Sequence, residues 1–234
     1  APSCTPAGDN CSRRPSSRPL TAAARLERIQ AQLPAHTRLL AVSKGQPAQA
    51  IRELVGLGQR SFGESRLQEA SLKQEQLADL GPLDWHFIGH LQANKVRAVL
   101  RRFGTVHSID GLDLAERAAR IAAEEGLAPQ VLLQVKLRPD PAKGGFSAEE
   151  LRRHWPRLQQ LQPLRISGLM TMAPLGLEPV ERRALFLDCA ALARDLGLQE
   201  LSMGMSGDWP EAAAAGSTWV RIGSALFGSR PSAG

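Results

Sequence analysis

Lys44 closes the run Leu39-Leu40-Ala41-Val42-Ser43-Lys44, an apolar strand pattern that ends on one amine. Desolvation at such a strand end lowers a lysine pKa, and a neutral amine attacks a carbonyl carbon to form a Schiff base. The same spacing also suits a lysine that simply reaches solvent. Two small-residue turns lie late in the chain, Met203-Gly204-Met205-Ser206-Gly207-Asp208 and Arg221-Ile222-Gly223-Ser224. Glycine permits close backbone approach, Ser206 or Asp208 can cap a following helix, and exposed N–H groups there hold phosphate. Ordinary strand-to-helix turns read alike. Arg221 falls inside an apolar strand run, where a charge is costly unless it is paired or bound to a ligand.

Other polar residues have plainer readings. His86 and His107 lie in strand patterns and suit hydrogen-bonded core histidines, although His86 could line the site. His90 reads as structural or solvated, and no cysteine or carboxylate spacing accompanies the histidines to suggest a metal. Met170 and Met172 suit packing inside a barrel, with Met170 close enough to a site at its mouth to be a candidate contact. Lys95, Arg97, Arg101 and Arg102 mark a basic helix face, either solvated or open to a partner or nucleotide. Cys189 sits in an apolar helical run and suits a small buried hydrophobe.

These residues need a scaffold, and the chain alternates strand and helix patterns from residue 20 onward. Eight β-type runs are expected at Arg38–Ser43, Arg60–Gly63, Trp85–Ile88, Thr105–Ile109, Val131–Leu137, Arg165–Met172, Glu200–Met203 and Thr218–Ile222. Helical spacing is expected at Leu20–Leu33, Pro47–Leu57, Ser65–Leu80, Gln92–Phe103, Leu112–Glu125, Ala148–Leu161, Pro179–Leu196 and Asp208–Ala215. Several strand runs are continuously apolar, as parallel strands covered by helices require. The expectation is an α/β fold, a single-domain (β/α)8 TIM barrel over 20–234. A doubly wound sheet is the alternative, but the turn after the first strand, Ser43-Lys44-Gly45-Gln46-Pro47, lacks the glycine fingerprint of that fold.

Composition narrows the function. The 234 residues carry Lys+Arg 29 against Asp+Glu 23, a net charge of +6 too small and dispersed to argue for nucleic acid. Only Lys44, Lys73, Lys95, Lys136 and Lys143 supply amines, and there is no tyrosine to serve as a second acid/base. Three cysteines without a CxxC pair give neither a disulfide framework nor a zinc site. No apolar run spans a bilayer and no signal-peptide order opens the chain, so a cytoplasmic protein without membrane contact is expected. Residues 1–19, rich in Pro, Ser and Arg, are expected to form a disordered tail.

An amine for an aldehyde, a cup for a phosphate and a partner for a ring nitrogen are the parts that pyridoxal 5′-phosphate needs. The stretches AVSKGQPAQAIRELVGLGQRSFGESRLQEA, WHFIGHLQANKVRAVLRRFGTVHSID, ISGLMTMAP and LSMGMSGDWPEAAAAGSTWVRIGSALFGSR resemble the pyridoxal phosphate homeostasis (YggS, or PLP-binding protein) family, and cyanobacterial members in particular. The resemblance spans about residues 20–230 and implies the barrel of the alanine racemase N-terminal domain. It implies that Lys44 carries the cofactor as an internal aldimine. Ser206 with Gly207, and Gly223 with Ser224, would hold its phosphate, and Arg221 would face its pyridine nitrogen. An arginine there keeps that nitrogen unprotonated and weakens the ring as an electron sink. Where the family reads Phe-Gly-Glu-Asn-Tyr, this chain has Phe62-Gly63-Glu64-Ser65-Arg66. Ser65 would then reach the ring hydroxyl only through water.

The resemblance implies a carrier that buffers pyridoxal phosphate without strong catalysis, a monomer with PLP-dependent enzymes as recipients of the cofactor. An amino-acid racemase is the enzymatic alternative. Fold-related racemases use a tyrosine opposite the lysine, which this chain lacks, although His86 could substitute. A regulatory module whose cofactor occupancy is read by a partner is the third reading.

Overall fold

In the computed structural model, residues 20–228 are described. The tail expected over 1–19 lies outside them. Eight parallel strands close into a barrel in sequence order: β1 (Arg38–Val42), β2 (Ser61–Glu64), β3 (Asp84–Phe87), β4 (Thr105–Ile109), β5 (Gln130–Gln134), β6 (Arg165–Met170), β7 (Glu200–Met205) and β8 (Trp219–Ile222). The barrel closes where Arg38 to Ala41 of β1 pair with Trp219 to Ile222 of β8. This is the expected TIM barrel, and closure excludes the open-sheet alternative.

The helices are α1 (Ala22–Gln30), α2 (Ala48–Gly56), α3 (Leu67–Gln76), α4 (Val96–Leu100), α5 (Leu112–Glu125), α6 (Ala148–Leu158), α7 (Pro179–Asp195), α8 (Trp209–Ala214) and α9 (Ser224–Phe227). Their starts follow from local chemistry. Thr21 caps α1 by accepting from the Ala24 N–H, and Ser147 forms a reciprocal capping box with Glu150 at α6. The helix expected over Gln92–Phe103 instead opens as a 3-10 turn at Ala93–Lys95 and is α-helical only over α4. Asn94 favours such local turn geometry over a helix interior. The single helix expected over Ser65–Leu80 likewise ends in a separate 3-10 turn at Ala78–Leu80. β5 and β6 end earlier than expected, before the turn-forming Pro139 and Pro174.

The core lies mainly between strands and helices. Leu133, Leu169 and Met203 pack with Leu185, Phe186 and Cys189 of α7, while Leu39, Ala41 and Val220 pack with Leu26, Ile51 and Leu54. Burial pushes the Cys189 thiol up to about 12, which makes it an inert small hydrophobe. The basic helix face is already occupied. Arg97 pairs with Glu124 and Glu125 of α5, Arg101 pairs with Glu125 at 2.6 Å, and Arg102 lies 3.4 Å from Glu75. These arginines tie neighbouring helices together. Among the described residues, no helix is long and apolar enough to cross a membrane.

Candidate functional site

A cavity of about 350 Å³ opens at the C-terminal ends of the strands. Val42 and Lys44 enter it from β1, Ile88 from beyond β3, Met205, Ser206 and Gly207 from the end of β7, and Arg221, Gly223 and Ser224 from β8. The size suits one small cofactor, and its place is where barrels of this type do their chemistry. The fold thus brings Lys44, Ser206, Gly207, Arg221, Gly223 and Ser224 to one cavity although up to 180 positions separate them. Gln46, Ile88 and Met205 also line it, and the sequence reading did not single them out. A larger recess of about 450 Å³ lies at the opposite barrel face among Gln30, Thr37, Arg38, Arg60 and Trp219. It lacks an amine at a strand end and the two small-residue turns.

Three other expected contacts are not among the residues that line the cavity. Ser65 is half-buried on the loop after β2, away from the cavity lining. Its backbone packs so closely on Gly89 that a Cβ there would lie 2.2 Å from the Ser65 carbonyl oxygen. His86 is only 2% exposed and faces the barrel interior, with Asp84 and His107 as partners. Met170 is buried at the end of β6.

The cup is built from the two late turns acting on each other. Ser206 Oγ accepts a hydrogen bond from the Ala225 N–H at 3.4 Å, which ties the β7 turn to the first residues of α9. Asp208 does not cap α8 with its side chain. It turns back and accepts from the Met205 N–H at 2.6 Å, which tightens the loop that carries Ser206 and Gly207. Gly223 lies against β1, where a Cβ would come within 3.2 Å of the Val42 carbonyl oxygen. Glycine and serine here leave backbone N–H groups and hydroxyls facing a small anion.

Arg221 is 4% exposed. Nη1 donates to the Ser202 carbonyl and to Ser202 Oγ, both at 2.8 Å, and Nη2 donates to the Thr171 carbonyl at 3.1 Å. Burial pulls the guanidinium down to about 10, against the upward pull of the Asp208 carboxylate, so it stays cationic at neutral pH. A guanidinium has five donors, and these bonds engage three of them.

Lys44 is an exposed residue at the rim, so desolvation by its own strand, the expected source of a reactive amine, is not what the protein provides. Its turn is instead clamped from behind. Lys73, on α3 and only 7% exposed in its side chain, donates to the Ser43 carbonyl at 2.7 Å, to Glu64 Oε1 at 2.7 Å and to Glu69 Oε1 at 2.6 Å. Ser43 Oγ donates to Glu64 Oε1 at 2.6 Å, and the Gly45 N–H donates to Glu69. The residues on both sides of Lys44 are therefore held by one buried ionic cluster. Burial pushes the Glu64 carboxyl above the ordinary range despite the bonds from Lys73 and Ser43. Partial burial also works upward on Glu69, but Lys73 and the Gly45 N–H outweigh it and hold that carboxyl low. The Glu69–Lys73 spacing of four was the sequence signal for this cluster. It reads first as a solvated helix pair.

The arrangement fits a phosphorylated aldehyde: a small anion cup, a cation and an amine on one cavity lining. A family model described as alanine racemase, N-terminal domain, matches residues 21–231. A protein from Synechocystis sp. named pyridoxal phosphate homeostasis protein is 49% identical over 208 residues, covering 86% of this chain and 95% of that one. The solved structure of PipY from Synechococcus elongatus with PLP bound has a TM-score of 0.86 at 49% identity, covering 89% of this chain and 100% of PipY. An alanine racemase from Clostridium difficile has a TM-score of 0.68 at 16% identity, a likeness of fold that covers 91% of this chain and 57% of the racemase.

Proposed function

The chain belongs to the pyridoxal phosphate homeostasis protein family, within the wider group that shares the alanine racemase N-terminal domain, and from that premise we propose that it holds pyridoxal 5′-phosphate in the mouth cavity and buffers its level in the cell without strong catalysis. The observation that carries this reading is the convergence of Lys44, Arg221 and the Ser206 and Ser224 turns on one cavity. When bound, the cofactor supplies an aldehyde that condenses reversibly with an amine. Lys44, at the cavity rim, would supply that amine. Ser206, Gly207, Gly223 and Ser224 would hold the phosphate, and Arg221 would keep the ring end of the cavity cationic. Ser65 would act at most through water, since it is not in the lining.

The racemase reading needs two acid/base groups on opposite faces of a substrate carbon. Among the described residues, the ionisable groups that line the cavity are Lys44 and Arg221. His86, the expected substitute for tyrosine, is enclosed in the barrel interior and bonded at both ring nitrogens. A monomeric, cytoplasmic carrier with PLP-dependent enzymes as recipients is the form of the proposal that fits these features. A reading in which occupancy is sensed by a partner is compatible with the same site.

Incubation with pyridoxal phosphate followed by gel filtration should leave a yellow protein. Incubation of that protein with L-alanine in deuterated water should give α-proton exchange no faster than the free cofactor gives. A colourless protein would reject the site. Exchange at about 1 s⁻¹ or more, an enzymatic rate, would reject the carrier in favour of the racemase.

A further inference from the structure

Four polar side chains cross the barrel interior in single file from Arg221. Arg221 Nη1 lies 2.8 Å from Ser202 Oγ, Ser202 Oγ lies 2.8 Å from His107 Nδ1, His107 Nε2 lies 2.8 Å from His86 Nδ1, and His86 Nε2 lies 2.7 Å from Asp84 Oδ2. Arg221 is on β8, Ser202 on β7, His107 on β4, and His86 and Asp84 are both on β3. Ser202 and His107 are fully enclosed and His86 nearly so, whereas the Asp84 side chain is 47% exposed at the far end. We propose that these residues form a one-way hydrogen-bond chain that positions Arg221 at the cavity, with Ser202, His107 and His86 as its positioning residues. The inference rests on reading the cavity as the pyridoxal phosphate site.

The direction of the chain follows from its ends. A guanidinium can only donate and a carboxylate can only accept. Ser202 Oγ accepts from Arg221, so its own hydrogen is available for His107 Nδ1. His107 then carries its single proton on Nε2 and donates to His86 Nδ1. His86 carries its proton on Nε2 and donates to Asp84. Every hydrogen in the file is used, and both histidines are neutral. Burial first, with the Arg221 charge working the same way, holds His107 well below the usual histidine range, in keeping with a neutral His107.

A cationic His86 reverses the file. His86 would donate from both nitrogens, His107 would accept at Nε2 and donate from Nδ1, and Ser202 Oγ would accept twice, with its own hydrogen displaced from the chain. The groups facing the histidines are Asp84, Ser202, Arg221 and the edge of the Trp219 ring, 4.8 Å from His86. The carboxylate accepts and the guanidinium donates in both states, so the proton count on His86 sets the direction; with His86 neutral, the Asp84 carboxylate fixes both protons on Nε2. With the neutral file intact, Arg221 has Ser202 Oγ as a side-chain partner beyond its two carbonyl contacts, and His107 holds that hydroxyl in turn.

Imidazole ¹⁵N NMR on the cofactor-free protein at neutral pH reads the chain without reference to the cofactor. Both His86 and His107 should be neutral, with the proton on Nε2. An Nδ1–H tautomer or an imidazolium at His107 would overturn the proposal. Ser202→Ala deletes one link and keeps the backbone acceptor for Arg221. It should leave His107 in mixed tautomers and weaken pyridoxal phosphate binding about tenfold, the scale of one hydrogen bond to a charged group. Borohydride should still fix the cofactor on the variant. Unchanged tautomers together with binding within about twofold of wild type would overturn the positioning role. If wild type bound no cofactor, the site reading would fall, and the wild-type tautomers would still decide the chain.

Discussion

Replacing Lys73 by methionine is expected to lower stability by about 3–5 kcal/mol, the range for breaking a buried ion pair from one side. The ammonium has three hydrogens and three close acceptors, the Ser43 carbonyl, Glu64 and Glu69. Methionine fills much of the same volume and satisfies none of them. Glu64, with no exposed surface, would keep only the Ser43 hydroxyl as a partner, while its Oε2 already lacks one. The same change releases Glu69 and with it the Gly45 N–H, so the turn that carries Lys44 should loosen and cofactor retention should weaken. The pH dependence has a definite sign. In the variant, Glu64 would sit further above its unfolded value of 4.5 than it already does. A raised carboxyl contributes stability that is present below the unfolded value and is lost as pH rises through the folded one. The deficit relative to wild type should therefore shrink as pH falls toward 4.5. Urea unfolding across that range measures it. A loss under about 1 kcal/mol at neutral pH would mean the cluster is a surface pair in effect. Glu64→Gln in the Lys73→Met background should recover part of the loss, because the uncompensated charge is gone.

Gly204→Ala should cost about 2–5 kcal/mol, combining left-handed backbone strain with overpacking of a full core. Gly204 has φ +93, and an added Cβ would lie 2.6 Å from Ala212 Cβ and 2.9 Å from Trp209 Cα. Both neighbours belong to α8, which packs directly behind β7 and cannot move without moving the loop of Ser206 and Gly207. The glycine thus turns the chain from strand into cup while keeping the helix close. The variant should lose affinity for pyridoxal phosphate as well as stability. Chemical unfolding together with a binding titration checks both. A variant as stable as wild type and with unchanged affinity would show that the β7 turn adapts without passing the strain to the cup.

Most of the frame was legible from residue patterns. Continuous apolar runs such as Val131-Leu132-Leu133 mark strands covered by helices, and β4 and α5 fall at their expected bounds because both have long, regular patterns. Lys44 and the two late turns were legible because an amine at a strand end and paired Gly-Ser turns are unusual together. The less legible features depend on which way a side chain points inside a closed barrel. Lys73 stood out only as one of five lysines and Glu64 only as part of the Phe62–Arg66 motif, yet both are enclosed. His86 looked like a possible site residue because strand position alone does not separate the mouth from the interior. α9 is too short, at four residues, for any periodicity to show. Ser65 and Met170 were expected at the cofactor, and neither is among the residues that line the cavity.

One lysine of the five in this chain, Lys44, is expected to hold the cofactor. Borohydride reduction of the pyridoxal phosphate-loaded protein, followed by proteolysis and mass spectrometry, locates the attachment. The added mass should fall on the peptide that contains Lys44, with no stable label at the site in Lys44→Ala. Label on Lys73, Lys95, Lys136 or Lys143 in preference to Lys44, or no label on a protein that still binds the cofactor, would contradict it.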